Sequence, residues 1–316
     1  MPKASVIIPA YNADKHILEC LLSLKEQTIK DFEVIVVDDG SMDRTYDIAV
    51  KYARVIKTTR NLGVGAARNL GAKEAKGEIL AFTDADVVLP PDWLANIIED
   101  MRLHNVKCVG GGYCGSLGHS FMERFAYLEL DYRRKNMPAF VNTIVSNNFA
   151  CSLDVFFECG GFPVKFKCED LRLSFLISRK YAIFWDKNNG VYHRFKSSLG
   201  DYLKQQYYFG RDTVWSYYEC PGMSGQETHQ GKIIYWETAL MLAFMISSIF
   251  FPAAAGFFLL AILIANYGFL SFLRKSGLSG IKSCMVILAR DFICAISIFT
   301  GVLLCLKDIM RRFFKK

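Results

Sequence analysis

The chain has 316 residues, 52% of them hydrophobic, with 38 basic and 31 acidic side chains for a net charge of +7. That length exceeds one typical domain and implies one large domain plus a further element, with enough apolar residues for a sizeable core. The basic excess has a plain source in Arg274, Lys275, Lys282 and the terminal KDIMRRFFKK, so nucleic-acid binding is not needed to account for it. The ten cysteines form no CxxC pair and no metal-ligand spacing with histidine, the pattern of scattered buried thiols in a reducing compartment. MPKASVIIPAYN has no long apolar run, so no signal peptide is expected.

Residues 5–9, SVIIP, read as a strand, followed by Ala10-Tyr11-Asn12 and a helical pattern with Ile17, Leu18, Leu21, Leu22 and Leu24 on one side. FEVIVV, 32–37, reads as a second strand running into Asp38-Asp39-Gly40-Ser41. A helix over about 43–52, a strand over 54–57, a loop with Asn61-Leu62-Gly63 and a helix over about 65–75 lead to EILAF, 78–82, which ends in TDAD, 83–86. This alternation predicts a parallel sheet with crossover helices, whose ligands gather beyond the carboxyl ends of the strands. Tyr11, Asp38, Asp39, Asp84 and Asp86 all follow strands, so distant stretches can converge on one crevice.

Asp84 and Asp86, one residue apart at a strand end, are expected to project to the same side and repel unless a cation sits between them. Hard oxygen ligands favour Mg²⁺ or Mn²⁺, which keep several waters and bridge to phosphate oxygens. A strand-ending turn with both acids solvated is the plainer alternative for the motif alone, and the convergence of the other polar strand ends weighs against it. Gly63-Val-Gly65-Ala-Ala-Arg68 nearly matches a dinucleotide fingerprint, but its third glycine is Arg68 and it follows the third strand rather than the first. A nicotinamide or flavin enzyme is not favoured.

From Asn147 the pattern changes to SNNFACSLDVFFECGGF, in which Gly160-Gly161-Phe162 marks a turn. Glu169-Asp170 opens an apolar-periodic helix, where acids ordinarily complement the dipole, and residues 182–185 read as a strand leading to VYHRF. Beyond residue 232 the chain is expected to become a helical membrane region. Residues 233–273 carry Glu237 as their one charge, and about 41 helical residues reach about 60 Å, twice a hydrocarbon core. Two spans, about 236–250 and 253–272, are expected to fold back near Phe251-Pro252. A third apolar stretch, 284–306, carries Arg290 and Asp291, so it is open to spanning, re-entering or lying along the interface, with the interfacial mode favoured by the charge pattern. Such a hairpin returns both basic groups to the cytosolic side, as the positive-inside rule prefers, with Phe313 and Phe314 of the tail in the headgroup layer.

SVIIPAYN, FEVIVVDDGSMDRT, NLGVGAARNLG, TDAD, the GGF turn and the Glu169-Asp170 pair occur in the order and approximate spacing of the family 2 glycosyltransferases, which the chain resembles over about residues 4–215. The resemblance implies an α/β domain of the GT-A fold, set over 1–232, and an inverting, metal-dependent hexosyltransferase. The apolar and basic pattern of 233–316 adds membrane-associated helices, so the protein is expected to be membrane-bound and multi-pass, with its catalytic domain in the cytosol and no nucleic-acid partner. The sugar would pass from a nucleotide-diphosphate sugar to a lipid-linked or membrane-proximal glycan acceptor in glycan or polysaccharide biosynthesis.

By resemblance, Pro9 and Tyr11 line the nucleobase site, with Tyr11 stacking on the base, and Asp39 bonds the base or ribose. Arg68 meets phosphate oxygens. Asp84 and Asp86 hold Mn²⁺ or Mg²⁺ against the diphosphate, with His193 near the same ion. Asp170 resembles the catalytic base, ionised near a cation and a helix N-terminus, and Glu169 shares or orients that role. Residues 205–209, QQYYF, stand where processive synthases carry QxxRW, and lack its Arg-Trp, so a non-processive enzyme is implied. A polyprenyl (dolichyl) phosphate glycosyl synthase is the nearest alternative. An inactive nucleotide-sugar-binding scaffold is the alternative from another class, and the retained acids at 39, 84, 86 and 170 weigh against it.

Overall fold

The computed structural model describes residues 2–164, 168–220, 222 and 233–314. In chain order its first elements are β1 (Ala4–Ala10), α1 (Ile17–Lys25), β2 (Phe32–Asp38), α2 (Thr45–Ala49), β3 (Arg54–Lys57) and α3 (Val64–Lys73). Next come β4 (Ile79–Phe82), β5 (Val87–Val88), α4 (Trp93–Leu103), β6 (Cys108–Ser116), α5 (Phe121–Arg134), β7 (Phe140–Val141), β8 (Phe149–Ser152) and α6 (Leu153–Glu158). The last are α7 (Glu169–Ser178), β9 (Ile183–His193), α8 (Leu199–Glu219), α9 (Ile233–Phe250), α10 (Pro252–Ala265), α11 (Tyr267–Lys275) and α12 (Gly280–Phe314). They form two compact units, Met1–Leu117 with Asn136–Arg194, and Gly118–Lys135 with Phe195–Lys316. The domain boundary expected at residue 232 lies outside the described residues.

The first unit is built on one mixed sheet in the order β3-β2-β1-β4-β8-β6-β9-β5, with β7 also on β9. Strands β3, β2, β1 and β4 are parallel, as the alternation predicts. Beyond β4 the expectation of a parallel sheet fails, because β8 runs antiparallel to both β4 and β6, and β5 and β7 run antiparallel to β9. These strands have two to four residues, too short to carry a period that reveals their direction.

Alternation along β1 and β4 sends side chains to opposite faces. Val6, Ile8 and Ala81 pack with Ile17, Leu21, Leu24, Trp93 and Ile97 on one face. Ile7, Leu80 and Phe82 pack with Phe149, Phe156, Phe162, Leu173 and Ile183 on the other. Both faces are covered, which is why these strands read as near-continuous apolar runs. In α1 the buried stripe is Ile17, Cys20, Leu21 and Leu24, while Leu18 and Leu22 turn out to be exposed. They fall one step round from the i, i+3, i+4, i+7 face.

The second unit is helical. Helix α5 starts at a capping box in which the Ser120 side chain and Glu123 satisfy each other's backbone N–H groups. Among the described residues one helix is long and apolar enough to cross a membrane, Gly280–Arg312 within α12, or two if the bent pair Ala254–Ala265 and Tyr267–Lys275 counts as one span. The expected 253–272 span is therefore not straight: it bends by 49° at Asn266, whose Nδ2 donates to the Ile262 carbonyl at 3.1 Å. Trp236–Phe250 is a shorter apolar helix. Of the modes left open for the third stretch, its length and composition meet those of a span.

Arg290 and Asp291, the two charges inside that stretch, pair with each other and with acids of other helices, although Asp291 Oδ2 has no partner among the described residues. Arg290 is 1% exposed and reaches Glu129 Oε1 at 2.5 Å, Glu237 Oε2 at 2.7 Å and Asp291 Oδ1 at 2.6 Å. Glu129 also takes Arg133 at 2.7 Å and the Tyr202 hydroxyl at 2.6 Å. One helix of this kind does not make a multi-pass topology. Lys315, Lys316 and the side chains of Phe313 and Phe314, on which the expected headgroup contact rests, lie outside the described residues.

Candidate active site

The TDAD stretch leaves the strand at Phe82 and turns, with the Val87 N–H donating to the Asp84 carbonyl at 3.2 Å. Strand alternation therefore does not extend through it, and the two acids meet different partners rather than one shared side. Asp84 Oδ1 accepts from Arg68 Nη2 at 2.7 Å, and Glu169 Oε1 accepts from Arg68 Nη1 at 2.7 Å. Arg68 is 2% exposed, so its fork is spent on two carboxylates rather than left open to a phosphate. Arg68 Nε and Glu169 Oε2 are buried and have no partner among the described residues. Asp86 faces a different partner: its Oδ1 lies 3.5 Å from His193 Nε2. Pairing of Val87 with His193 across β5 and β9 sets that approach, supported by the Arg194 N–H donating to the Asp86 carbonyl at 3.2 Å.

The motifs at 61–69 and 160–163 interlock to hold Arg68. Asn69 Nδ2 donates to the Phe162 carbonyl at 2.7 Å, and the Phe162 N–H donates to Asn69 Oδ1 at 2.8 Å. Gly161, at φ +68°, also lies where a Cβ would be 2.7 Å from Asn69 Oδ1. The Arg68 guanidinium then sits 5.2 Å from the centre of the Phe162 ring.

No group of three His, Cys, Asp or Glu side chains among the described residues is set to hold a metal ion. Asp84 is engaged by Arg68, which leaves Asp86 and His193 as a pair. Mg²⁺ ligands at 2.0–2.1 Å sit about 3 Å apart in adjacent octahedral positions, so the 3.5 Å pair can close on one ion and leave its other positions to phosphate and water. The donor set fits a divalent cation as a two-residue anchor.

Asp39 is 3% exposed and accepts from the backbone N–H of Leu62 at 2.9 Å and of Gly63 at 2.8 Å, and from the Thr58 hydroxyl at 3.1 Å. It ties the loop before α3 to the end of β2. Pro9 is buried within β1, opposite Val37. Tyr11 is 49% exposed just beyond β1. The turn it opens is held by Asn12, whose N–H donates to Ser41 Oγ at 2.9 Å and whose Oδ1 accepts from the Met42 N–H at 2.9 Å. Sequence reasoning missed Tyr113 and the turn Ser146–Asn148, which lie beside His193 and Asp170. The available signal was SNN, three polar residues directly before the buried strand FACS.

Asp170 is half-buried in the first turn of α7, and its Oδ1 accepts from the Leu171 N–H at 2.8 Å. Burial pushes Glu169 up to about 7 despite the pull of Arg68, with the neighbouring Asp170 adding to the rise. Burial raises Asp170 as well. Loss of water here outweighs the cation and the helix N-terminus, which the expectation of a fully ionised pair left out. A base must be deprotonated to act, so its activity is lost as pH falls through its raised value. Turnover is expected to fall as pH drops through the raised value of Asp170, with Glu169 beside it taking up its own proton near about 7. Glu169→Gln removes the repulsion on Asp170, so the acid limb of the pH–rate profile shifts to lower pH. An unmoved limb would separate Glu169 from that titration.

Residues 5–156 match the model of the family described as Glycosyl transferase family 2. The chain is 31% identical over 178 residues to glycosyltransferase AglE of Haloferax volcanii, covering 52% of this chain and 57% of that protein. It is 36% identical over 118 residues to a dolichol-phosphate mannosyltransferase of Pyrococcus furiosus, covering 35% of this chain and 33% of that one. It therefore spans less than two thirds of the length of either relative. Mannosyltransferase PcManGT of Pyrobaculum calidifontis, solved in complex with GDP-Man and Mn²⁺, superposes with a TM-score of 0.64 at 20% identity, over 94% of this chain and 87% of that one. A likeness at that identity shows a shared fold, in keeping with the GT-A class.

Proposed function

From the match of residues 5–156 to the Glycosyl transferase family 2 model, we propose that the chain is an inverting, metal-dependent glycosyltransferase. It moves a sugar from a nucleotide-diphosphate sugar to a lipid-linked or membrane-proximal acceptor. The observation that carries this is the pairing of side chains drawn from distant stretches at the TDAD turn, Asp84–Arg68–Glu169 and Asp86–His193, with the half-buried Asp170 next to Glu169.

Asp86 and His193 would hold Mn²⁺ or Mg²⁺, and the bound ion neutralises charge on the departing nucleoside diphosphate. Tyr11 and Pro9, beyond and within β1, border the base of the donor, while Asp39 shapes the loop that faces it. Arg68 sits in its two ion pairs as a positioning residue, holding Asp84 toward the donor and Glu169 beside the base. Asp170 accepts the proton of the acceptor hydroxyl as its oxygen attacks the anomeric carbon from the side opposite the leaving group. That single displacement inverts the configuration. The acids at 84, 86 and 170 are arranged for turnover, which an inactive scaffold would not need.

The domain 1–232 carries this chemistry on the cytosolic side, where nucleotide sugars are made, and the helices from 233 onward hold it at a membrane. Attachment concentrates the domain on the surface where a lipid-borne acceptor resides. A polyprenyl phosphate is the second acceptor class, favoured by the likeness to a dolichol-phosphate mannosyltransferase.

Asp86→Ala is expected to abolish the Mn²⁺-dependent part of nucleotide affinity without unfolding the domain, because Asp86 lies half-buried in a turn rather than in the core. Calorimetry of UDP and GDP binding with and without Mn²⁺ checks this. A metal-dependent affinity equal to that of the parent would remove Asp86 from the ion.

A further inference from the structure

The turn Ser146–Asn148 is buried throughout and takes no part in the chemistry above. Asn148 is fully bonded: its Oδ1 accepts from Trp93 Nε1 at 2.8 Å, and its Nδ2 donates to the carbonyls of Gly112 at 3.0 Å and Asn189 at 2.7 Å. Asn189 Nδ2 donates back to the Trp93 carbonyl at 3.1 Å. A Cβ on Gly111 would lie 2.4 Å from Asn148 Nδ2 and 2.3 Å from the Asn189 carbonyl, so the absence of a side chain there lets this clamp close. The turn is thus rigidly held, which is what a recognition group needs from its support.

Asn147 beside it is different. It is 5% exposed, its Nδ2 donates to the Tyr113 hydroxyl at 3.1 Å, and its Oδ1 has no partner among the described residues. Whichever way round the amide is set, one end bonds Tyr113 and the other is buried unpaired. A fixed, desolvated amide end costs stability unless something fills it.

The surroundings of Asn147 say what that is. On one side the segment leading into it is tied to the first turn of α7, where the Ile144 N–H donates to Ser174 Oγ at 3.4 Å and that hydroxyl donates to the Asp170 carbonyl at 2.6 Å. On the other, the Tyr113 ring centre is 5.3 Å from that of His193, which pairs with Asp86. Asn147 therefore stands between the group that takes the acceptor proton and the pair that faces the diphosphate, where the sugar of the donor must sit during displacement.

We propose that Asn147 hydrogen-bonds a ring hydroxyl of the sugar of the donor, with Tyr113 orienting its amide. This rests on the glycosyltransferase reading of the same site. A buried polar group that matches a substrate hydroxyl discriminates strongly against a ligand lacking it, so Asn147 contributes to which sugar is accepted. The nucleotide alone does not meet it.

The test compares full-length protein in detergent with Mn²⁺ by calorimetry, using UDP, GDP, UDP-glucose, UDP-N-acetylglucosamine and GDP-mannose. For whichever pair the parent binds, Asn147→Ala is expected to lower the ratio of nucleotide-sugar to nucleotide affinity roughly tenfold, with the affinity for the nucleotide within twofold of the parent. Tyr113→Phe, which leaves the clamped turn intact, is expected to lower the ratio in the same direction by less. A ratio unchanged in both variants, or an equal loss for nucleotide and nucleotide sugar, would overturn the assignment while leaving the glycosyltransferase reading in place. A parent that binds none of the five would overturn both.

Discussion

Asp170→Asn is expected to lower turnover by roughly 10² to 10⁴, the usual loss when a general base is removed, while donor affinity stays near that of the parent. Asparagine keeps the size of the side chain and its acceptor for the Leu171 N–H, so the first turn of α7 is preserved. What is lost is the ability to take a proton. Glu169 is the nearest substitute, but its carboxylate is 5% exposed and engaged with Arg68, which turns it away from that duty. Turnover within a few-fold of the parent would move the base to Glu169 or elsewhere. A matched loss of donor affinity would make Asp170 a binding group instead.

Arg290→Met is expected to be the most damaging single change in the helical unit. Arg290 is the shared cation of Glu129, Glu237 and Asp291, all nearly buried, and Asp291 Oδ2 already has no partner among the described residues. With Arg290 gone, Arg133 remains for Glu129, while Glu237 and Asp291 lose the cation that pairs with them. Removing one partner from a buried ion pair costs about 3–5 kcal/mol, because the charge left behind is neither solvated nor paired. Thermal unfolding of the detergent-solubilised protein is expected to show a drop of several degrees in midpoint, partly recovered when Glu237→Gln is added. A midpoint equal to that of the parent would mean the cluster is solvated in the protein as it exists.

The parallel half of the sheet was legible in the sequence, because β1, β2 and β4 are buried on both faces and read as short apolar runs ending in polar residues. The antiparallel half was not, since β5, β7 and β8 are too short to show a period and pair with strands far away in sequence. The residues of the site were legible by type and their pairing was not. Which acid Arg68 would bind depends on the Asn69–Phe162 interlock, a contact across 93 residues. Asp84 and Asp86 looked like one shared cation site because alternation was extended past Phe82, where the strand in fact ends. The charges within the apolar C-terminal stretch left its mode open because their partners, Glu129 and Glu237, come from other helices. Asn266 shows the same blindness in reverse, since a break made by one residue disappears in a hydropathy average.

Release of nucleoside diphosphate by the full-length protein, incubated with Mn²⁺, a panel of nucleotide sugars and a membrane lipid extract, tests the central claim most directly. The account predicts release from one nucleotide sugar that depends on Mn²⁺, is stimulated by the lipid extract, and is lost in both Asp86→Ala and Asp170→Asn while the variants remain folded. Release that survives in both variants, or a folded parent that releases nothing from any donor with lipid and metal present, would contradict it.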